Sequence, residues 1–230
     1  KLKYFIYKGI LFFWGKKNIK RLESIVRDLK VRNPRVKVDC CSVDFMDASA
    51  IQNLADDIAK EGIINVLLVA HGALPDQNEV VKKIWLIRES IEINAISPVL
   101  FAEAFAGHMI SANSGSIALI GSVAGDRGRK SNYVYGSAKS LVEHYIQGLR
   151  HRFAGTDVDA IIIKPGPTNT PMTAHLNLEG QSLASVKSVA EIVVQGIDQK
   201  QSSIYAPRKW AFIMFIIRYL PNWLFNKLDI

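Results

Sequence analysis

Short apolar runs alternate along this chain with longer stretches of helical period, and that alternation restricts the fold more than any other feature. Repeated β-then-α units dictate a parallel sheet whose strands are joined by crossover helices. The pattern predicts strands near residues 10–14, 36–40, 63–70, 116–122, 158–164 and 203–206, with helices near 18–30, 48–60, 80–107, 133–153 and 188–200. The expected class is α/β, a doubly wound parallel sheet with helices on both faces. A chain of 230 residues with 49% hydrophobic content can bury one large core without splitting.

Sheets of this kind bind ligands beyond the carboxyl ends of their strands, at the point where the strand order reverses. The first strand ends at Trp14-Gly15-Lys16-Lys17. In a dinucleotide fold this position senses the ribose: an acid favours a free 2′-hydroxyl and a basic residue accommodates a 2′-phosphate. Lys16 therefore favours NADP(H) over NAD(H), although solvated lysines at a helix start would look the same. The second strand leads into Asp44 and Phe45, and the third into Ala70, His71 and Gly72. Asp44 can accept from an adenine amino group or cap a turn. Gly72 admits a close backbone approach to a ligand. A lone histidine after a strand is usually structural, and His71 is read so.

Ser122 closes the fourth strand, thirteen residues before Tyr135, and Lys139 follows four residues later. In a helix, positions i and i+4 share a face, so Tyr135 and Lys139 form a pair. A cation at about 4 Å offers roughly 4 kcal/mol at an effective dielectric of about 20, enough to bring a phenol of pKa about 10 towards neutrality. Ser122 and Tyr135 would then be two donors aimed at a carbonyl oxygen that gains charge as hydride arrives. Asn94 lies inside a strongly apolar helix, where a buried amide must find partners; a water relay is the functional version of that need. The turn Lys164-Pro165-Gly166-Pro167-Thr168-Asn169-Thr170 offers the hydroxyls of Thr168 and Thr170 to a carboxamide or phosphate. Residues 171–186 have weak periodicity and suit a lid over substrate. No metal site is expected.

Asn94, Ser122, Tyr135 and Lys139 at this spacing, with the Pro165-Gly166 turn behind them, resemble the catalytic tetrad of the classical short-chain dehydrogenase/reductases. The resemblance covers roughly residues 8–207 and implies a Rossmann-like sheet of order 3-2-1-4-5-6-7. It also implies Tyr135 as general acid, Lys139 lowering its pKa and holding the nicotinamide ribose, Ser122 orienting the carbonyl and Asn94 anchoring a relay water. Tyr135, Lys139, Pro165, Gly166, Thr168 and Thr170, with Lys16, Asp44, Phe45, Ala70 and Gly72, would line the cofactor. Homodimers or homotetramers and a small carbonyl substrate follow from the same resemblance. His71 stands where the family commonly has asparagine. The family's opening strand and glycine-rich pyrophosphate loop have no counterpart in the sequence. The expectation is that they precede Lys1, because a sheet without its central strand would expose an edge. The alternative is a non-catalytic nucleotide-sensing or scaffold protein on the same fold.

Charge and cysteine usage narrow the partners. Residues 1–37 hold twelve Lys/Arg against Glu23 and Asp28, and account for the net charge of +8. No zinc-knuckle, helix-turn-helix or aromatic-basic sheet pattern accompanies that charge, so nucleic acid is not an expected partner. Adjacent Cys40 and Cys41 suit a reducing compartment better than a disulfide framework, which favours the cytoplasm. No uninterrupted apolar run reaches the roughly 20 residues of a membrane span, and no secretory leader is seen. After a domain at 1–207, residues 208–230 form an amphipathic helical extension rich in Trp, Tyr, Phe and basic residues. That composition suits a helix lying in a membrane interface, a wall over the substrate site, or a helix docked on the core or a second subunit. The extension, with Gly125-Asp126-Arg127-Gly128 and Pro171-Met172-Thr173, resembles the branch containing the decaprenylphosphoryl 2-keto-ribose reductases, which implies a hydrophobic or lipid-linked sugar substrate.

Overall fold

The computed structural model describes residues 10–14, 19–32, 34–35, 37–174 and 183–228. In chain order these form β1 (Ile10–Trp14), α1 (Ile19–Arg32), β2 (Val38–Ser42), α2 (Ala48–Glu61), β3 (Val66–Val69), α3 (Gln77–Lys82) and α4 (Trp85–Ile91). A π-helical turn (Glu92–Ile96), α5 (Ser97–Ala112), β4 (Gly115–Ile120) and a 3₁₀ turn (Val123–Gly125) follow. The chain continues through α6 (Tyr133–Arg152), β5 (Val158–Pro165), α7 (Val186–Asp198), β6 (Ser203–Ala206), α8 (Lys209–Tyr219) and α9 (Asn222–Phe225).

All strand pairs among the described residues are parallel. One ladder holds β3-β4-β5-β6 and a second holds β1-β2, with no described strand bridging β1 and β3. Alternation along β4 and β5 supplies both faces. Ile117, Leu119, Ala160 and Ile162 point to a core built with α2, α5 and α6. Ala118, Ile161 and Ile163 point to the opposite core, with Val193, Ile197 and Ile204. Helices therefore cover the central strands on both sides, as near-continuous apolar strands require. Val43, just after β2, and Ile51 and Ala55 of α2 lie in the first core.

Two departures from the expected elements have local causes. The helix expected over 80–107 begins earlier, because the Asp76 carboxylate accepts from Asn78 N (2.9 Å) and caps α3. It then breaks at Lys83 and restarts at Trp85, and its middle carries the π turn, where Ser97 N bonds to Glu92 O. The run Trp85–Ala112 is long and apolar enough to cross a membrane by length and mean hydropathy. Arg88, Glu89, Glu92 and Glu103 interrupt it, and Phe101, Ala102, Phe105 and Met109 pack into the first core, so here it serves as a core helix.

Candidate active site

Ser122 leaves β4 in extended conformation and starts the 3₁₀ turn, its hydroxyl accepting from Ala124 N (3.1 Å). The hydroxyl proton thus remains available for donation. Tyr135 enters on the first turn of α6, where Gln77 Oε1 accepts from Val134 N (3.1 Å) and ties α3 to that turn. Two glycines set the closeness of α6 to the Ser122 turn. A Cβ on Gly136 would lie 2.7 Å from Ala124 O, and one on Gly125 would lie 2.9 Å from the Lys139 carbonyl carbon. Burial pushes the Tyr135 phenol up, and a hydrogen bond with the Ser122 side chain pulls it partly back.

Lys139 does not act on Tyr135 as the helical spacing suggests. Its Nζ donates to Ile120 O (2.8 Å), at the end of β4, and sits 5.8 Å from the centre of the Tyr135 ring. The Tyr135 phenol is raised, burial being the larger cause. The Lys139 ammonium is itself perturbed: 3% exposed, it falls from 10.5 to about 8 through burial. The i, i+4 rule places two Cβ atoms on one face but leaves a four-carbon side chain free to follow a nearby carbonyl.

Asn94 sits in the π turn, fully buried. Its Nδ2 donates to Ala73 O (2.8 Å) and Ser90 O (2.9 Å), and its Oδ1 accepts from Ala73 N (2.9 Å). The amide therefore fastens the loop after β3 to the helix, keeping one Oδ1 lone pair in reserve. Gly72 is needed there for the protein itself: an added Cβ would lie 2.7 Å from Asn94 Oδ1 and 3.6 Å from Lys139 Nζ. Ala70 is exposed at the carboxyl end of β3. π turns in α-helices often mark functional sites, and no residue pattern in the sequence announces this one.

The remaining expected cofactor contacts are scattered. Asp44 Oδ1 accepts from Met46 N (3.0 Å), the turn-capping alternative. The Phe45 ring packs 4.3 Å from His71 and 5.4 Å from Phe101 between ring centres, so it is a core contact. His71 shares Ser97 Oγ at 2.9 Å and is lowered to about 4 by burial and then by the Lys139 charge, hence neutral and structural. Thr168 donates to Gly166 O (2.9 Å), and Thr173 donates to Thr168 O (2.6 Å). Thr170 Oγ1 pairs with Thr173 Oγ1 (3.4 Å), so the loop after Pro165 is held largely by its own hydroxyls. Gly166 is roofed by Trp210, whose Nε1 would be 2.0 Å from an added Cβ. Lys16 and the centre of the expected lid, 175–182, lie outside the described residues.

Lys139 is the observation by which a nicotinamide cofactor is tested here. Its buried ammonium carries three protons and has one hydrogen bond among the described residues, so it fits a ligand hydroxyl pair such as that of a ribose. Sequence reasoning passes over a second buried lysine. Lys164 is 2% exposed and donates to Asp126 Oδ1 (2.6 Å), Glu143 Oε1 (2.5 Å) and Tyr205 OH (3.3 Å), while Tyr205 OH donates to Asp126 Oδ2 (2.9 Å). Burial disfavours its charge, but the two carboxylates more than compensate and leave its pKa raised. The signal is a lysine at the end of the apolar run Ala160–Ile163, where the strand is buried on both faces. This network pins the 123–132 segment, between Ser122 and Tyr135, to β5, β6 and α6.

The sequence matches the short chain dehydrogenase family over residues 3–181. The protein belongs to this family. An uncharacterized oxidoreductase of Mycobacterium tuberculosis is 28% identical over 177 residues, 76% of this chain and 70% of its own length. Among solved structures, a short-chain dehydrogenase from Sphingobium yanoikuyae in complex with NADPH superposes with a TM-score of 0.77 at 18% identity, covering 92% of this chain and 87% of that one. A short-chain dehydrogenase from Burkholderia cenocepacia in complex with NADP gives 0.72 at 17% identity, covering 84% and 79%. These likenesses agree with the Rossmann-like parallel sheet. The short-chain dehydrogenase described here is accordingly an oxidoreductase acting on CH–OH groups with NAD(P).

Proposed function

We propose that the protein interconverts a ketone and a secondary alcohol, with NADP(H) preferred to NAD(H). Tyr135 protonates the carbonyl oxygen, and Ser122 donates a second hydrogen bond to the same oxygen. The upward shift of the phenol keeps it protonated at neutral pH, which suits an acid for reduction. The cofactor supplies the hydride. Lys139 holds the nicotinamide ribose through the protons not given to Ile120 O, and the spare Oδ1 lone pair of Asn94 anchors a relay water. Positioned acid catalysis of this kind contributes about 10²–10⁴-fold.

The observation that carries this reading is the buried Lys139 ammonium on Ile120 O at the carboxyl end of β4, beside the turn that starts at Ser122 and the first turn of α6 that carries Tyr135. The NADP(H) preference rests on Lys16 and on the cofactors of the two solved structures above. Ala70 and Gly72, after β3, and Pro165, Gly166, Thr168 and Thr170, at the end of β5, remain the candidate cofactor contacts, whereas Asp44 caps its own turn and Phe45 packs on the core. The substrate is a hydrophobic ketone, with a lipid-linked sugar as the specific case, the assembly a homodimer or homotetramer, and the location the cytoplasm with 208–230 touching a membrane. Tyr135→Phe tests the reading. Turnover should vanish while NADPH still quenches protein fluorescence, and near-normal turnover would end the mechanism.

A further inference from the structure

Helix α8 carries two apolar faces, and the fold uses one. Trp210, Ile213, Met214 and Ile217 lie at i, i+3, i+4 and i+7 and turn inward, Trp210 covering Gly166 and Met214 fully buried. Phe212, Phe215, Ile216 and Tyr219 repeat the same spacing on the outside. They are 70%, 62%, 46% and 74% exposed, and Trp223 on α9 adds another 66% exposed ring. A helix apolar all round normally has a partner on each side. This stripe has none among the described residues.

Charge argues for the partner. Arg208, Lys209, Arg218 and Lys227 are exposed along the segment, and residues 201–228 hold no carboxylate side chain. A two-fold pairing of this face with itself would set these cations against their own copies, and like charges at an interface are unfavourable. An anionic surface meets the same cations favourably. At about 1.5 Å per residue, an eleven-residue helix spans roughly 16 Å, too short to cross a bilayer core of about 30 Å. It suits a helix lying in the interface with aromatic rings at headgroup depth.

Arg127 completes the arrangement. A helix end at an apolar boundary must satisfy its last carbonyls. Arg127 reaches from the catalytic loop to Ile217 O (2.5 Å) and Leu220 O (2.6 Å), also donates to Asn222 Oδ1 (2.9 Å), and stacks 3.8 Å from the centre of the Phe225 ring. The end of α8 can thus leave water with these acceptors already occupied. We propose that Phe212, Phe215, Ile216, Tyr219 and Trp223 dock this protein on an anionic lipid bilayer, with Arg127 fixing that face relative to the Ser122–Tyr135 loop. This deepens the membrane contact proposed above and is independent of the hydride chemistry.

The test is flotation of the protein with vesicles of phosphatidylcholine alone and of phosphatidylcholine mixed equally with phosphatidylglycerol. Wild type should float with the mixed vesicles and be released by high salt. A Phe215→Glu/Tyr219→Glu variant should lose about tenfold or more of this partitioning while retaining its melting temperature and NADPH quenching. Equal flotation of that variant and wild type overturns the proposal. So does failure of wild type to float, together with a gel-filtration oligomer that the variant dissociates, which would make the partner a second copy. Tyr135→Phe should float as wild type does, so loss of the catalytic reading and loss of the docking reading are separable.

Discussion

Lys139 is a cation held where burial works against its charge, so its charge does not serve stability. With a pKa near 8 against an ordinary 10.5, its charged form costs the cofactor-free protein about 3 kcal/mol. Lys139→Met removes that cost but strands Ile120 O, at about 1–3 kcal/mol. The variant should therefore be inactive yet as stable as wild type, or up to about 2 kcal/mol more stable, at pH 7. Between about pH 8 and 10.5 the unfolded lysine binds more protons than the folded one, so wild type should gain stability relative to the variant as pH rises. Denaturant melts of both proteins across that range would measure it. His71 shows the same sign at lower pH. Lowered from 6.5 to about 4 by burial and then by Lys139, it should cost wild type about 3 kcal/mol relative to His71→Gln as pH falls through that window. A constant difference between the two melts would contradict its neutral burial.

Elements, rather than single groups, bring Ser122 and Tyr135 together. Helix α6 lies against the 3₁₀ turn because Gly136 and Gly125 carry no Cβ, and the neighbouring atoms at Gly136 are backbone and cannot rotate away. Gly136→Ala should separate the two hydroxyls and lower turnover by more than about tenfold, the order lost when reacting groups are misplaced by about an ångström. Gly148 sits in the same helix with nothing within 4 Å of an added Cβ, so Gly148→Ala should keep full turnover and gain about 0.5–1 kcal/mol. Equal activity in both variants would mean that the close approach has no part in catalysis. The π turn belongs to this scale too. It carries Asn94 in register with the 72–73 loop, and that register depends on a shift in backbone hydrogen bonding that no side-chain pattern encodes.

Across the whole molecule, the network of Lys164, Asp126, Glu143 and Tyr205 joins the segment between Ser122 and Tyr135 to three other elements. The Lys164 and Asp126 side chains are 3% and 0% exposed, so removing the cation leaves carboxylates uncompensated in a poorly solvated place. Lys164→Met should destabilise by about 3–5 kcal/mol, read from urea unfolding, and a loss below about 1 kcal/mol would show that the carboxylates find other partners.

The alternation of apolar and amphipathic runs is enough to give the parallel order, the helices on both faces and the sheet edge that carries the site, because period and strand chemistry are local properties. Tyr135 and Lys139 are readable from their spacing on one helix, Ser122 from its place after a strand, and Asn94 as a polar residue inside an apolar helical run. What those groups do to each other is not local. Lys139 turns to Ile120 O, Phe45 enters the core beside His71, Asn94 spends its amide on Ala73, and Arg127 reaches α8 from about ninety residues away in sequence. Only tertiary packing decides such pairings, since a buried donor takes whichever acceptor the fold brings within reach, and α8 keeps an outward apolar face because the core has room for one side of it.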